Sequence, residues 1–421
     1  MIVISGEVLQ QAREGPNNVL FFCWGNGDVY SLLSDKDFTR TVPGTLYRAK
    51  GQEEIPASAI GKAHDRVRMI FRPLAPNPGQ LAPGPSTRVS GYVLHGAKWE
   101  QTPVEIVPLR TELFSRIGGL LETDVLAKKR VLVIGLGSVG SHIAIELAKS
   151  GITRFDLIDH DRLVVGNVVR HMAGVSHVGR RKTEAMDQLI KEKNPYAEIQ
   201  TLEEPVSWRN TEEVRKIVQG ADIVVCVTDN RPSRLIINRL CVEENKPCVF
   251  AGAFLRAYGG QVLFVRPHVS LCYQCFCALL PEQAGDEEIS NPEQAERVAY
   301  ADRPVPIEPG LSTDIAPISL MVVKLVIQEL LKRTETTLRS LDDDLVAPWY
   351  LWLNRRDPGT QYEKLEPLGF GLGGLRILRW YGVDIKRDPG CPVCGDFESE
   401  LAKQRGLQLP NACEPLNGSK G

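Results

Sequence analysis

The segment from Arg130 to Gly151 constrains the fold more than any other part of the chain. It reads RVLVIGLGSVGSHIAIELAKSG: a mostly apolar run, a glycine-rich turn, then apolar residues at helical spacing that stop at a glycine. Predicted strands and helices alternate after it, with strands in the segments FDLIDHD, AEIQTLE and DIVVCVTD. Such alternation predicts an α/β fold whose mostly parallel sheet carries helices on both faces.

The length of the chain indicates more than one domain. A chain of 421 residues is too long for one compact core and predicts two or three units. We expect a small strand-rich N-terminal domain over 1–110, which binds a partner or makes a dimer contact, the α/β domain over 111–396, and a tail over 397–421. Residues 75–86 and 281–311 are predicted to be loops.

Composition narrows the classes of function. The net charge is −2, so no basic excess indicates nucleic acid or an anionic membrane as a partner. No run of about 18 apolar residues predicts a membrane span, and no secretion signal is apparent, so we expect a cytoplasmic protein. Four of the ten cysteines fall in two C-x-x-C pairs, which favours metal binding over disulfides.

Glycines and an acidic residue mark the predicted carboxyl edge of the sheet. Gly135, Gly137 and Gly140 form the pattern G-x-G-x-x-G between a strand and a helix. Glycines let the backbone approach phosphates, and a helix N-terminus offers free N–H groups, although the pattern can also be a tight turn only. Asp159 ends the second strand, where a carboxylate can accept hydrogen bonds from both ribose hydroxyls or cap the strand. Together they predict nucleotide binding.

Further charged residues indicate which nucleotide binds. Asp161 is equally well explained as a site residue and as a turn-stabilising side chain. Asn167 and Arg170 follow in a segment expected to pass over the phosphates, which the planar fork of arginine suits. Lys182 begins the next helix as a phosphate ligand or a solvated lysine, and Asp229 ends an apolar strand, where it could hold Mg²⁺ beside phosphates. Two cations and a metal-holding carboxylate suit ATP better than a nicotinamide cofactor, which has no phosphate that reacts.

From about Glu112 to Gly395 the chain resembles the E1-like (ThiF/MoeB/HesA) activating enzymes for ubiquitin-like proteins. The resemblance rests on an ordered series of segments: VLVIGLGSVGSHIAIELAKSGI, LIDHDRLVVGNVVRH, VGRRKTEA, VVCVTDN, AGAFLRAYGGQV, CYQC and CPVC. It implies a Rossmann-like adenylation fold. It also implies a reaction, in which the C-terminal glycine carboxylate of a ubiquitin-like or sulfur-carrier protein attacks the α-phosphate of ATP.

The resemblance also implies roles for individual residues. The glycine turn and Arg170 would hold phosphates, Asp159 the ribose, Asn167 and Lys182 would line the phosphate site, and Asp229, followed by Asn230, would position Mg²⁺. Arg116, in the segment ELFSRIGGL, matches an arginine that the family contributes across a homodimer. Catalysis would rest on positioning and charge neutralisation rather than on a side-chain base.

The two cysteine pairs are Cys272 with Cys275 and Cys391 with Cys394. Each pair can hold one side of a tetrahedral ion. The resemblance implies a structural Zn²⁺ that ties the end of the domain to its core, and a redox pair is the alternative.

The chain departs from the family at the nucleophilic cysteine that many members carry. No cysteine occurs between Ala278 and Gly390, and Pro306 stands at the aligned position. Cys277 is the nearest thioester candidate, although a small buried residue also explains it. Three functions therefore remain open: activation of a ubiquitin-like protein with transfer to an E2-like partner, adenylation of a short peptide or small carboxylate, and a non-catalytic subunit.

Overall fold

The computed structural model describes most of the chain from Arg110 onward and parts of the region before it. The described residues are 2–5, 18–25, 30–32, 41–48, 56–59, 63–73, 87–95, 97–107, 110–279, 310–356, 358, 363–364 and 376–396. The predicted loop at 75–86, nearly all of that at 281–311, and the tail at 397–421 lie outside them. The chain divides into two compact units, Met1–Arg116 and Ile117–Gly421.

The first unit is built mainly of strands. They are β1 (Ile2–Ser5), β2 (Asn18–Gly25), β3 (Tyr30–Leu32), β4 (Thr41–Arg48), β5 (Val67–Pro73), β6 (Thr87–His95), β7 (Lys98–Thr102) and β8 (Val104–Val107), followed by a short helix α1 (Arg110–Leu113). These strands form a mixed sheet in the order β7-β6-β5-β4-β2-β3-β1-β8. The predicted strand segments NVLFFCW and VRMIFRPL form β2 and β5. Alternating residues such as Ile2 and Ile4 are fully buried, as expected where one face of a sheet packs on a core.

The second unit alternates strands and helices before it ends in an antiparallel section. Its strands are β9 (Arg130–Ile134), β10 (Arg154–Ile158), β11 (Glu198–Leu202), β12 (Ile223–Cys226), β13 (Cys248–Ala253), β14 (Gly259–Val265), β15 (Trp349–Leu353) and β16 (Arg379–Val383). Its helices are α2 (Thr123–Leu126), α3 (Ser138–Lys149), α4 (Lys182–Lys193), α5 (Thr211–Gly220), α6 (Arg231–Glu243), α7 (Tyr273–Leu279), α8 (Ser312–Leu331) and α9 (Ser340–Asp344).

The sheet of the second unit has the order β11-β10-β9-β12-β13-β14-β15-β16. The first five strands in this order, β11, β10, β9, β12 and β13, are parallel to one another. Each of the last three, β14, β15 and β16, pairs antiparallel with the strand before it. Strand β9 lies centrally and buries four consecutive apolar residues, Val131 to Ile134, because helices cover both faces. The predicted α/β architecture is therefore confirmed, and the carboxyl ends of β9, β10 and β12 meet at one edge.

Helix α8 covers the sheet beside α3. Its sequence is apolar on most sides, and it packs against α3, β13 and β14. The hydroxyl of Ser319, which is fully buried on this helix, donates to the carbonyl of Val139 on α3 (3.1 Å). Within the described residues, no helix combines the length and the apolar character needed to cross a membrane.

Candidate nucleotide site and metal centre

The glycine turn between β9 and α3 has a conformation that only glycine accepts easily. Gly135 has φ +90°, and a Cβ placed on Gly140 would lie 1.8 Å from the carbonyl oxygen of Gly135. A Cβ on Gly137 would meet nothing within 4 Å, because this position faces open space. Gly137 has no side chain to cap α3, so the N–H groups of the first turn are available to an anion.

Two side chains hold the peptide groups of Leu136 in the middle of this turn. The Leu136 N–H donates to Asp159 Oδ2 (2.6 Å), and His171 Nε2 lies 2.7 Å from the Leu136 carbonyl. The Ala173 N–H donates to His171 Nδ1 (2.9 Å), which makes Nε2 the protonated nitrogen. Burial, more than any nearby charge, lowers the pKa of His171 to about 4. The neutral ring thus fixes the shape of the glycine turn.

A cavity of about 640 Å³ lies at this edge of the sheet. It is formed by residues of the second unit, and nearly all the predicted nucleotide residues line it: Gly135, Gly137, Asp159, Asp161, Asn167, Arg170, Lys182, Asp229 and Asn230. Gly140 lies one helical turn below, against Gly135. One cavity therefore brings together residues that the chain spreads over about 95 positions, from 135 to 230.

Lys182 and the two aspartates form an ion-pair cluster on the cavity wall. Lys182 is mostly buried, and its Nζ lies 2.6 Å from Asp161 Oδ2 and 3.7 Å from Asp159 Oδ1. Desolvation raises the pKa of Asp161, but the hydrogen bond and charge of Lys182 outweigh it, so the net pKa is lowered. Asp159 accepts backbone N–H groups on both oxygens, from Leu136 and from Asp161 (2.9 Å). Asp161 therefore acts here as the counter-ion of Lys182.

The remaining predicted residues line the cavity from two loops. Asn167 lies in a short helical turn, where its Oδ1 accepts the N–H of Val164 (3.2 Å), and Arg170 follows it half-buried. Asp229 is exposed at the end of the β12 loop. Asn230 caps α6, since its Oδ1 accepts the N–H of Ser233 (2.9 Å). Carboxylate, amide and guanidinium groups thus face one space.

A strained turn forms another part of the cavity wall. Arg256 and Ala257 both have left-handed backbone angles, with φ 55° and 51°. Such residues cost of order 1–3 kcal/mol each and persist only where the surroundings hold them. Asn354 Nδ2 donates to the Ala257 carbonyl (2.8 Å), and Arg355 contacts the Arg256 carbonyl and the Asp314 carboxylate. This clamp keeps Arg256 at the cavity.

The four cysteines of the two C-x-x-C pairs come together in a buried cluster: Cys272, Cys275, Cys391 and Cys394. Their sulfurs are separated by 3.9 Å, 3.7 Å and 3.3 Å in the pairs 272–275, 272–391 and 275–394, and all lie within 4.8 Å of one another. Tetrahedral zinc with Zn–S bonds of about 2.3 Å requires sulfurs about 3.8 Å apart, so the cluster fits Zn²⁺. Hydrogen bonds with Cys275 and Cys394 lower the pKa of Cys272.

Two predicted residues are neither among those that line the cavity nor among the four clustered cysteines. Arg116 is exposed in the turn that follows α1, at the end of the first unit. Cys277 is half-buried on α7, where it packs against the apolar residues around the cysteine cluster. Their roles in transfer remain predictions.

The family of the chain follows from a match to a family model. The model described as the ThiF family matches residues 110–345, more than half of the chain. The chain belongs to the ThiF family. The match includes the glycine turn, the cavity residues and the first cysteine pair, and ends before the second pair.

Curated relatives match parts of this region. The adenylyltransferase and sulfurtransferase MOCS3 of Xenopus laevis is 33% identical over 167 residues, which cover 39% of this chain and 35% of that protein. The sulfur carrier protein ThiS adenylyltransferase of Escherichia coli is 31% identical over 152 residues, covering 36% and 59%. The ubiquitin-like modifier-activating enzyme 5 of Caenorhabditis elegans is 27% identical over 186 residues, covering 42% and 44%. The chain thus spans about a third to three fifths of these relatives.

Among solved structures, E. coli MccB with ATP is similar to this chain. It is 19% identical, with a TM-score of 0.46, over 65% of this chain and 69% of that one.

Other residues of the cavity carry no sequence signal of their own. Phe254 and Arg256 line it from the connection between β13 and β14, and Gln261 lines it from β14. Their segment, AGAFLRAYGGQV, is part of the family resemblance, but its pattern does not show that the turn bends toward the nucleotide edge. The clamp residues Asn354 and Arg355 lie about 100 positions away in sequence, so only the folded chain reveals them.

Proposed function

We propose that this protein uses ATP to adenylate the C-terminal carboxylate of a ubiquitin-like or sulfur-carrier protein that ends in glycine. The main support is the cavity at the carboxyl edge of a ThiF-family sheet, where the glycine turn, Arg170 and Lys182, and acidic groups converge. Relatives named as adenylyltransferases and as a ubiquitin-like modifier-activating enzyme support this proposal.

The predicted nucleotide residues would have separate roles in this reaction. The glycine turn and the first turn of α3 would bind phosphate oxygens through N–H groups. Arg170 and Lys182 would neutralise charge as the substrate carboxylate attacks the α-phosphate and pyrophosphate leaves. Lys182 would exchange Asp161 for a phosphate oxygen, since its Nζ lies 2.6 Å from Asp161 Oδ2. Asp229 would hold Mg²⁺, which would shield the phosphate charges.

The activated acyl group could follow either of two routes. Cys277 is half-buried, and no cysteine lies between Ala278 and Gly390. We therefore favour transfer of the acyl group from the adenylate directly to an acceptor nucleophile, with AMP as the leaving group, although an E2-like partner could receive the acyl group through another thiol. The same lack of a loop cysteine supports a second candidate function, adenylation of a short peptide or a small carboxylate.

We further propose that the protein works as a homodimer in the cytoplasm. Val164, Val165 and Val169, in the loop that carries Asn167 and Arg170, are 55%, 71% and 80% exposed. Three exposed valines beside a polar site are consistent with a covered surface in a dimer, through which Arg116 would reach the partner's site. Sedimentation equilibrium should give twice the monomer mass, and Val169→Asp should lower it; a monomer at all concentrations would refute the dimer.

The adenylation proposal is tested by ATP–pyrophosphate exchange. Exchange should require a β-grasp protein with an intact C-terminal glycine, and Asp229→Ala should abolish it. Asp343→Ala removes an exposed carboxylate on α9 and serves as the matched control. Exchange supported only by short peptides would favour the second candidate, whereas full exchange by Asp229→Ala would remove that residue from the site.

A further inference from the structure

A buried asparagine lies beside the four-cysteine cluster. Asn238, in the middle of α6, is fully buried. Its Oδ1 accepts the N–H of Tyr273 (2.8 Å), the first residue of α7 and the neighbour of Cys272. This bond fixes which way the amide points, because the opposite orientation would turn two N–H donors toward another donor.

The other end of the amide lacks a hydrogen bond of normal geometry. Among the described residues, Asn238 Nδ2 is one of few buried side-chain atoms without a partner. Tyr273, which donates to Asn238 Oδ1, directly follows Cys272, and Asn238 and Cys272 are both fully buried, so the sulfur of Cys272 is the candidate acceptor for Nδ2. An unsatisfied buried N–H costs about 1–3 kcal/mol. A fold that keeps the Nδ2 group of Asn238 buried therefore needs a nearby atom that becomes a strong hydrogen-bond acceptor.

A zinc-bound thiolate is such an acceptor. Four thiolates around Zn²⁺ carry a net charge of −2, and N–H donors to the sulfurs spread that charge and hold the ligands in place. Cys391 already has one such donor, the N–H of Val393 at 3.5 Å from its sulfur. Asn238 Nδ2 would be the corresponding side-chain donor for Cys272.

We propose that Asn238 is a positioning residue of the metal centre. Its Oδ1 holds the start of α7, and its Nδ2 donates to the zinc-bound sulfur of Cys272. The asparagine thereby ties α6, whose first turn borders the nucleotide cavity, to the metal. This inference rests on the proposed zinc and does not depend on adenylation.

The hydrogen bond can be observed in the unaltered protein. Zinc is replaced by NMR-active cadmium, and asparagine alone is isotope-labelled. One side-chain amide should show scalar coupling to cadmium through the N–H···S bond, and this coupling should be absent in Asn238→Asp. A protein that takes up no metal would refute both the zinc and this inference, whereas bound cadmium without coupling to an asparagine amide would refute the inference alone.

Metal release gives a second test. Asn238→Asp keeps an acceptor for Tyr273 but removes the donor, so zinc affinity in chelator competition should fall roughly 10- to 100-fold. The control is Asn194→Asp, since Asn194 is equally buried and donates to the Ile152 carbonyl (2.9 Å), outside the cysteine cluster. That variant should keep wild-type zinc affinity below its melting temperature. Equal zinc loss in both variants, or in neither, would contradict the specific role of Asn238.

Discussion

Lowering the pH from 7 to 5 should destabilise this protein through one histidine, His171. In the folded chain its ring is buried, Nε2 already carries the proton that faces the Leu136 carbonyl, and Nδ1 accepts the Ala173 N–H, so a second proton could bind only by breaking the bond from Ala173. In the unfolded chain the ring is solvated and protonates normally. The folded state therefore binds a proton only at much lower pH.

The size of the effect follows from the two pKa values. Burial lowers the pKa of His171 from 6.5 to about 4. One pKa unit corresponds to about 1.4 kcal/mol, so linkage gives a loss of about 2 kcal/mol between pH 7 and pH 5 and about 3 kcal/mol by pH 4. The sign is set by the depressed pKa: stability is present above pH 6.5 and is lost as the pH falls toward 4.

The assay compares the wild type with His171→Gln. Glutamine stays neutral and can donate to the Leu136 carbonyl while accepting the Ala173 N–H. The free energy of unfolding is measured with urea and tryptophan fluorescence at several pH values between 7 and 5. Over this range it should fall by about 2 kcal/mol more in the wild type than in the variant. Parallel curves for the two proteins would show that His171 is not held neutral, and would refute the proposed clamp on the glycine turn.

Three further predictions test the turn, the metal and the strained loop. Gly140→Ala should destabilise the protein by several kcal/mol, since its Cβ would lie 1.8 Å from the carbonyl oxygen of Gly135. Gly137→Ala should melt within a few degrees of the wild type and yet bind ATP more weakly in calorimetry; equal melting of the two variants would contradict this. Removing zinc with a chelator should lower the melting temperature and expose the region 376–396 to protease, and an unchanged digestion pattern would count against a structural ion. Asn354→Asp should cost roughly 2 to 4 kcal/mol in urea unfolding, because it removes donors to the Ala257 and Asp314 carbonyls (both 2.8 Å); a loss below 1 kcal/mol would show that the clamp is weak.

The sequence predicted the elements that have a local signal. The apolar run of β9, the glycines after it and the helical spacing of α3 define a strand, a turn and a helix without reference to other residues. The order of strands and helices then predicts a parallel sheet, and the carboxyl ends of parallel strands share an edge. For this reason the sequence alone predicts that Asp159, Lys182 and Asp229 lie near one another.

The tertiary structure decided which contacts those residues make. The local sequence around Asp161 does not distinguish a turn-stabilising residue from a site residue. Its pairing with Lys182 depends on how α4 packs against the loop after β10. His171 acquires its low pKa from burial, and Asn238 meets the N–H of Tyr273 because α6 and α7 pack together. Periodicity reports which face of an element is buried, whereas a hydrogen bond between distant residues depends on how the elements pack. The sequence by itself therefore determined the fold class and the location of the cavity, and the folded chain alone determined which groups hold it in shape.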